Sequence, residues 1–340
     1  MSKPFQRIFN AGSILAGLFL LASWWSPRID PRQFWPAAFL GLVFPYLYLT
    51  CLILAGLGLL WKQHKAWLLV LLLLLSAGLF RKSFFNFSFP PGEEGIRLLT
   101  HNIGSSFKSN RAPEWAFYHR LNPDILCFQE WHRKSPAFRF RDSLIKKYKH
   151  TQLTGTNFWP IFSRWPIIRE GELKSKALGN GCTWADIVYQ KDTFRLYNVH
   201  LVSNKISDQT EQLLQTRDLT DRSTWQKVKN VLRRYKRSLL LRADQAAELK
   251  KHMRQSPHPL VLAGDFNDIP ASYVYRLLHE DLMDGFLQGG NGLAYTYAGK
   301  LPFLHIDNIL ISKPLQVNRV EIQRVRYSDH FPVLAEIQIH

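Results

Sequence analysis

The stretch Leu260-Val-Leu-Ala-Gly-Asp265-Phe-Asn267 runs four apolar residues into a glycine, a carboxylate and an amide. Such a short apolar run, bounded by polar punctuation, reads as a buried strand. In α/β folds the crevice beyond the strand ends is where ligands bind. The same pattern recurs along the chain. Asn102 follows Ile96 to Thr100, Glu130 follows Ile125-Leu-Cys-Phe-Gln, and His200 follows Leu196-Tyr-Asn-Val. Asp307 opens Asn308-Ile-Leu-Ile, and Asp329-His330 precedes Phe331-Pro-Val-Leu. Taken singly, each residue has an ordinary explanation: an Asp after a strand is usually a turn or helix cap, and a lone His is usually a core or surface histidine. Together they form a set suited to phosphoester hydrolysis. Carboxylates hold a hard divalent cation, imidazole beside a carboxylate moves protons, and a side-chain amide binds a phosphoryl oxygen.

Around these runs, further strands are predicted at Trp159 to Phe162, Ala185 to Tyr189, Phe194 to Val199 and Val333 to Ile337. Helices are predicted at Pro113 to Leu121, Phe138 to Lys147, Ala271 to His279, and along a long stretch, whole or broken, from Thr224 to Met253. The chain shows no internal repeat. Cys127 and Cys182 have no zinc-like spacing and read as small core residues, while Cys51 falls in an apolar segment.

The texture changes near residue 82. Before it lie three apolar segments, Phe9 to Trp25, Phe34 to Trp61 and Ala66 to Phe80. A span needs roughly 20 residues to cross about 30 Å of hydrocarbon. The second segment clears this. The other two are short by a few residues but carry Trp24, Trp25, Trp61 and Trp67 at their edges, where amphipathic rings favour the interface. A cleavable signal peptide is the competing reading of the first segment, but no small-x-small cleavage site stands out and two more apolar segments follow. The expected organisation is a membrane anchor of three transmembrane helices over 1–82, a linker over 83–95 containing Pro90-Pro91-Gly92, and a catalytic domain over 96–340.

Three spans put the N-terminus and the catalytic domain on opposite faces of the bilayer. Lys3, Arg7, Lys62 and Lys65 share one side, and Arg28, Arg32, Arg81 and Lys82 the other, so the positive-inside count ties. The N-terminal amine tips the balance toward a cell-membrane protein with an extracytoplasmic catalytic domain. The net charge is +18. The first 82 residues hold those eight basic residues against the single acid Asp30, so most of the surplus lies in the soluble part and favours anionic partners. Lys227, Lys229, Arg233, Arg234, Lys236, Arg237 and Arg242 form a basic stretch. It reads either as a solvated helix face or as a surface for phospholipid or nucleic acid.

The segments Leu98-Leu-Thr-His-Asn-Ile, Pro123-Asp-Ile-Leu-Cys-Phe-Gln-Glu, Tyr197-Asn-Val-His-Leu, Gly264-Asp-Phe-Asn, His305-Ile-Asp-Asn-Ile-Leu and Ser328-Asp-His-Phe-Pro-Val occur in the order found in the endonuclease/exonuclease/phosphatase family. Over residues 96 to 340 the chain resembles a membrane-anchored bacterial member of that deoxyribonuclease I-like family. The resemblance implies a four-layer α/β sandwich, with two packed mixed β-sheets flanked by helices and preceded by the transmembrane helices. It also implies a magnesium-dependent phosphoesterase, with manganese as the alternative ion. By resemblance, Glu130 is the principal metal ligand, assisted by Asn102 and Asp329. Asp265 and Asn267 orient water and phosphate, His330 pairs with Asp307, and His200 contacts the phosphate or leaving group. Some abasic-site endonucleases carry an acidic ligand two residues past the motif asparagine. Here that position is Gly104, which throws more of the metal binding onto Glu130. The expected substrate is a membrane-associated phosphate ester or diester. DNA or RNA hydrolysis is the alternative, and a catalytically inactive binding scaffold is the reading from another class.

Overall fold

The computed structural model describes residues 2–88, 95–104, 115–133, 135–153, 158–174, 180–203, 222–299 and 303–339. In chain order the strands begin with β1 (Phe85–Asn86), β2 (Ile96–Asn102), β3 (Ile125–Gln129), β4 (His150–Gln152), β5 (Ile161–Ser163), β6 (Ile167–Lys174) and β7 (Gly181–Tyr189). They continue with β8 (Asp192–His200), β9 (Leu260–Asp265), β10 (Met283–Asp284), β11 (Gly292–Leu293), β12 (Asp307–Ile311), β13 (Gln316–Ile322) and β14 (Val333–Gln338). Two six-stranded sheets result, ordered β13-β14-β2-β3-β5-β4 and β10-β12-β9-β8-β7-β6. Both are mixed, because β2 pairs parallel with β3 and β8 parallel with β9 amid antiparallel neighbours.

The two sheets pack face to face. Ile125 and Cys127, with Val261, Ala263, Ile309 and Ile311, point into the space between them. The alternate residues Leu126 and Phe128 pack outward under helices Trp115–Leu121 and Arg141–Lys147. On the other side, Leu262 and Leu310 pack under helices Arg222–Met253 and Tyr273–His279. Each central strand is thus buried on both faces, which is why its sequence is a continuous apolar run. The expected four-layer arrangement of helix, sheet, sheet and helix is the one observed. The stretch predicted from Thr224 to Met253 is one unbroken helix of 32 residues. The predicted helix from Pro113 begins, within the described residues, at Trp115.

Helices α1 (Lys3–Trp25), α3 (Ala37–Leu60) and α4 (Ala66–Ser83) are long and apolar enough to cross a membrane, and short α2 (Pro31–Phe34) joins the first pair. Asp30 caps α2 by accepting from the Arg32 backbone N–H at 2.9 Å. These helices bind the sandwich directly. Leu20, Phe44, Tyr48, Cys51, Leu69 and Leu73 share one apolar cluster with Ile269, Ala271 and Ile306. Lys82 Nζ lies 3.1 Å from His279 Nε2, and His305 Nδ1 lies 2.8 Å from the Lys82 carbonyl oxygen. The segment read as a linker opens with β1, which pairs with β11, and the Asn86 amide donates to the Phe286 and Gly290 carbonyls at 2.8 and 2.9 Å. Pro90, Pro91 and Gly92 lie outside the described residues.

Gly41 sets the closeness of this joint. A Cβ there would stand 2.1 Å from the Ala271 carbonyl oxygen, whereas one at Gly56 would meet nothing within 4 Å. Gly41→Ala should therefore force α3 off the body and cost about 1–3 kcal/mol. Thermal melts of the full chain should show a clear fall in Tm for Gly41→Ala and none for Gly56→Ala. Equal melting temperatures would mean that the joint is not tight.

Candidate active site

Strand direction gathers the polar residues on one edge. Asn102 ends β2, Glu130 follows β3, His200 ends β8 and Asp265 ends β9. Asp307 begins β12, which runs antiparallel to β9 with Asp307 opposite Asp265, and His330 lies three residues before β14, antiparallel to β2. His200 stands opposite Asp265 across the parallel pair β8–β9. Gly264 makes that neighbourhood close: its φ is +140°, and a Cβ would sit 2.1 Å from the Val199 carbonyl oxygen. Only glycine fits both constraints. Glu130 and Asn267 have φ of 55° and 51°, left-handed positions that ordinary residues adopt uncommonly, so both strands turn sharply where they enter the site.

Asp265 is the hub. The Asn102 amide donates to Asp265 Oδ2 at 2.9 Å, the Asn267 amide donates to the same oxygen at 2.9 Å, and the Asn267 backbone N–H donates to Oδ1 at 2.7 Å. Burial outweighs the attraction of His330 and pushes the Asp265 carboxyl up to about 6. His330 Nδ1 lies 2.9 and 3.1 Å from the two oxygens of Asp307, and its Nε2 lies 3.8 Å from Asp265 Oδ2. Burial alone would depress this imidazole. The Asp307 and Asp265 carboxylates overcome it and hold the group well above the ordinary histidine range. Asp265, Asp307 and His330 are 1%, 2% and 6% exposed, so the charges they carry are weakly screened.

His200 Nε2 is 3.7 Å from Glu130 Oε1 and 3.7 Å from Asp265 Oδ2. The Trp159 indole, which can only donate, points its N–H at His200 Nδ1 at 3.2 Å. A neutral ring with that bond carries its proton on Nε2, toward the two carboxylates. Glu130 is half-buried, as is Asp329, whose backbone carbonyl accepts from the Ala298 N–H at 2.7 Å. Asn102 Oδ1 accepts from the Gly104 N–H at 3.0 Å, so Gly104 meets the site through its backbone.

The structure thus brings Asn102, Glu130, His200, Asp265, Asn267, Asp307 and His330 to one edge, with Asp329 beside His330. Several supporting residues escaped the sequence reading. Ser328 donates to the Asn102 carbonyl at 2.6 Å and accepts from the His330 N–H at 2.9 Å. His101 Nε2 lies 3.3 Å from that hydroxyl, and its Nδ1 lies 2.9 Å from the Tyr118 hydroxyl. Burial holds His101 at about 3. Thr296 accepts from the Asp307 N–H at 2.9 Å, and the Tyr297 ring stands edge-on to His330 with centroids 5.4 Å apart. Ser328 lay inside a quoted motif, but Thr296 and Tyr297 sit outside any strand of regular period.

The donor set fits a metal. Asp265, Asp307 and His330 present ligand atoms within 4.8 Å of one another, and the Glu130 carboxylate shares the His200 nitrogen with Asp265. Among the described residues this group is the cluster of metal-ligand type; its carboxylate oxygens suit a hard divalent cation, whereas His330, held cationic by the two carboxylates, has no lone pair to offer one.

A family model described as Endonuclease/Exonuclease/phosphatase family matches residues 99–330, and one described as a domain of unknown function (DUF8431) matches residues 6–83. No curated protein matches the chain. Among solved structures, an endonuclease/exonuclease/phosphatase from Bacteroides vulgatus is 18% identical with a TM-score of 0.51, covering 72% of this chain and 99% of that one. A humanized D. rerio TDP2 with 14 mutations is 15% identical with a TM-score of 0.52, at 72% and 99% coverage. D. rerio TDP2 complexed with a single-strand DNA product is 13% identical with a TM-score of 0.50, again at 72% and 99%. At these identities the likeness is one of fold.

Proposed function

The chain belongs to the endonuclease/exonuclease/phosphatase family, and from that premise we propose that it hydrolyses a phosphate ester or diester carried by a membrane-associated substrate. One observation carries the choice of substrate. Ile306 adjoins Asp307, Ile269 and Ala271 follow Asn267, and Tyr297 faces His330, and all four pack in the same apolar cluster as Leu20, Phe44 and Leu73 of the candidate spans. One wall of the site is therefore built on the anchor, which keeps the chemistry beside a bilayer and raises the effective concentration of lipid phosphoesters there.

In this reading Glu130, with Asn102 and Asp329, would hold a magnesium or manganese ion, with Asp265, whose Oδ2 accepts from the Asn102 amide, beside them. When bound, the ion offsets charge building on the phosphoryl oxygens. Asp265 and Asn267 orient the attacking water. His330, kept cationic by Asp307, donates to a phosphoryl oxygen, and His200 Nε2 faces the phosphate or leaving group.

The full chain in nanodiscs, supplied with magnesium, should turn over phospholipid or polyprenyl phosphate esters at least about tenfold faster than soluble phosphomonoesters presented at equal concentration. Equal rates would overturn the membrane-substrate reading. Faster cleavage of oligonucleotides, falling steeply with salt, would establish the nuclease alternative instead. We also place the catalytic domain outside the cell, on the three spans and the charge of the N-terminal amine. Protease added to intact spheroplasts should digest it, and digestion only after lysis would reverse the assignment.

A further inference from the structure

We propose that the N-terminal half of the long helix Arg222–Met253 lies on the bilayer surface and binds anionic phospholipid headgroups of the leaflet on the catalytic side. This rests on the reading of α1, α3 and α4 as membrane spans and is independent of which phosphoester is cleaved.

The helix is about 48 Å long at 1.5 Å per residue. Its C-terminal half is committed to the body: Ala243, Ala246, Leu249 and Met253 are buried against the outer face of the sheet. Arg242, which the sequence grouped with the basic run, is 1% exposed and pairs with Asp268 at 3.0 Å. Up to Arg237 the character changes. Trp225, Val228, Leu232, Tyr235 and Leu239 follow one another at spacings of three, four, three and four, a single apolar stripe along one face. Leu239 and Tyr235 are buried, while Trp225 and Leu232 are 56% and 37% exposed.

The stripe meets the candidate spans at one end. Tyr235 stacks on Phe39 with ring centroids 4.6 Å apart, and Lys236 Nζ stands 5.9 Å from the centre of the Trp35 ring. Phe39 is in the first turn of α3, at the end of that span nearest the catalytic body. The face that touches the start of a span at Tyr235 thus continues through Leu232 and Val228 to Trp225. Lys227, Lys229, Arg233, Arg234, Lys236 and Arg237 are all exposed on this part of the helix, and no Asp or Glu occurs between Arg222 and Ala243. An apolar stripe flanked by cations, continuous with a membrane-embedded element, matches a surface of anionic headgroups over acyl chains.

The test uses the full chain with Leu232→Cys carrying an environment-sensitive fluorophore, and Glu248→Cys, exposed on the body-bound half of the helix, as the second labelled position. Each is reconstituted into vesicles of phosphatidylcholine alone or mixed with phosphatidylglycerol, containing headgroup-level nitroxide lipid. Co-flotation with vesicles reports the spans separately from the helix. The expected result is strong quenching at position 232, several-fold greater with phosphatidylglycerol, reduced when Lys227, Lys229, Arg233 and Arg234 are changed to Gln, and weak quenching at 248. Flotation with equal, weak quenching at both positions would overturn the proposal while leaving the anchor intact. So would a fluorescence change at 232 elicited by single-stranded oligonucleotide but not by phosphatidylglycerol. Failure to float would remove the anchor and the proposal together.

Discussion

Glu130→Gln is expected to lower turnover at least about a hundredfold, the upper end of what loss of even an outer-shell partner costs a metal site. The substitution keeps the side-chain shape and hydrogen-bonding reach but removes the negative charge that attracts a hard cation. Glu130 sits at a left-handed turn directly after β3, and its Oε1 is 3.7 Å from His200 Nε2, so the carboxylate is held toward the cluster by the backbone itself. Because the defect would be one of affinity, raising magnesium should restore part of the activity. Melting curves of the variant should match those of the parent, since Glu130 is half-buried at a strand end and contributes little to the core. The measurement is kcat as a function of magnesium for both proteins. Undiminished activity of the parent in a strong chelator would sink the metal assignment.

How much of this site could be seen without coordinates depended on where each residue sat in the sheets. Strands β2, β3, β8, β9, β12 and β14 are inner strands buried on both faces, so each writes itself as an apolar run, and the polar residue ending the run is conspicuous. The strands missed were those at the edges. β6, with Ile-Ile-Arg-Glu-Gly-Glu-Leu-Lys, and β13, with Gln-Val-Asn-Arg-Val-Glu-Ile, each pair on one side only and carry charges that discourage further pairing, which erases the apolar run. The short strands β4 and β10 also lie at edges.

The supporting layer of the site was hidden for a different reason. Trp159 orients His200, and Thr296 fixes the Asp307 backbone, through contacts between segments that are 41 and 11 residues apart and share no local period. The docking of α3 against Ala271 was equally unreadable, because it depends on what Gly41 lacks. Charge along the long helix misled in one position: Arg242 has the same composition signal as Arg233, yet one is buried beside Asp268 and the other is exposed. Composition reports that cations are present; only packing separates those that hold the fold from those that face a partner.

His330 and Asp307 should act as one unit, so that His330→Ala, Asp307→Ala and the double variant all lose similar amounts of turnover. The two side chains meet at 2.9 Å in a pocket from which water is nearly excluded. Without Asp307, the imidazole loses the nearer of the two carboxylates that raise its pKa, so it holds its proton less strongly and is a poorer cationic donor to a phosphoryl oxygen. Without His330, Asp307 is left with no imidazole to orient and charge, so its carboxylate no longer serves the phosphoryl oxygen. Either loss thus disables the same function, and the second removal has little left to take. The pH profile gives an independent reading. The carboxylate raises the histidine pKa, so Asp307→Asn should move the alkaline decline of kcat to lower pH. A double-mutant cycle on kcat decides the matter: losses that simply add in free energy would show the two residues working separately and would dissolve the dyad.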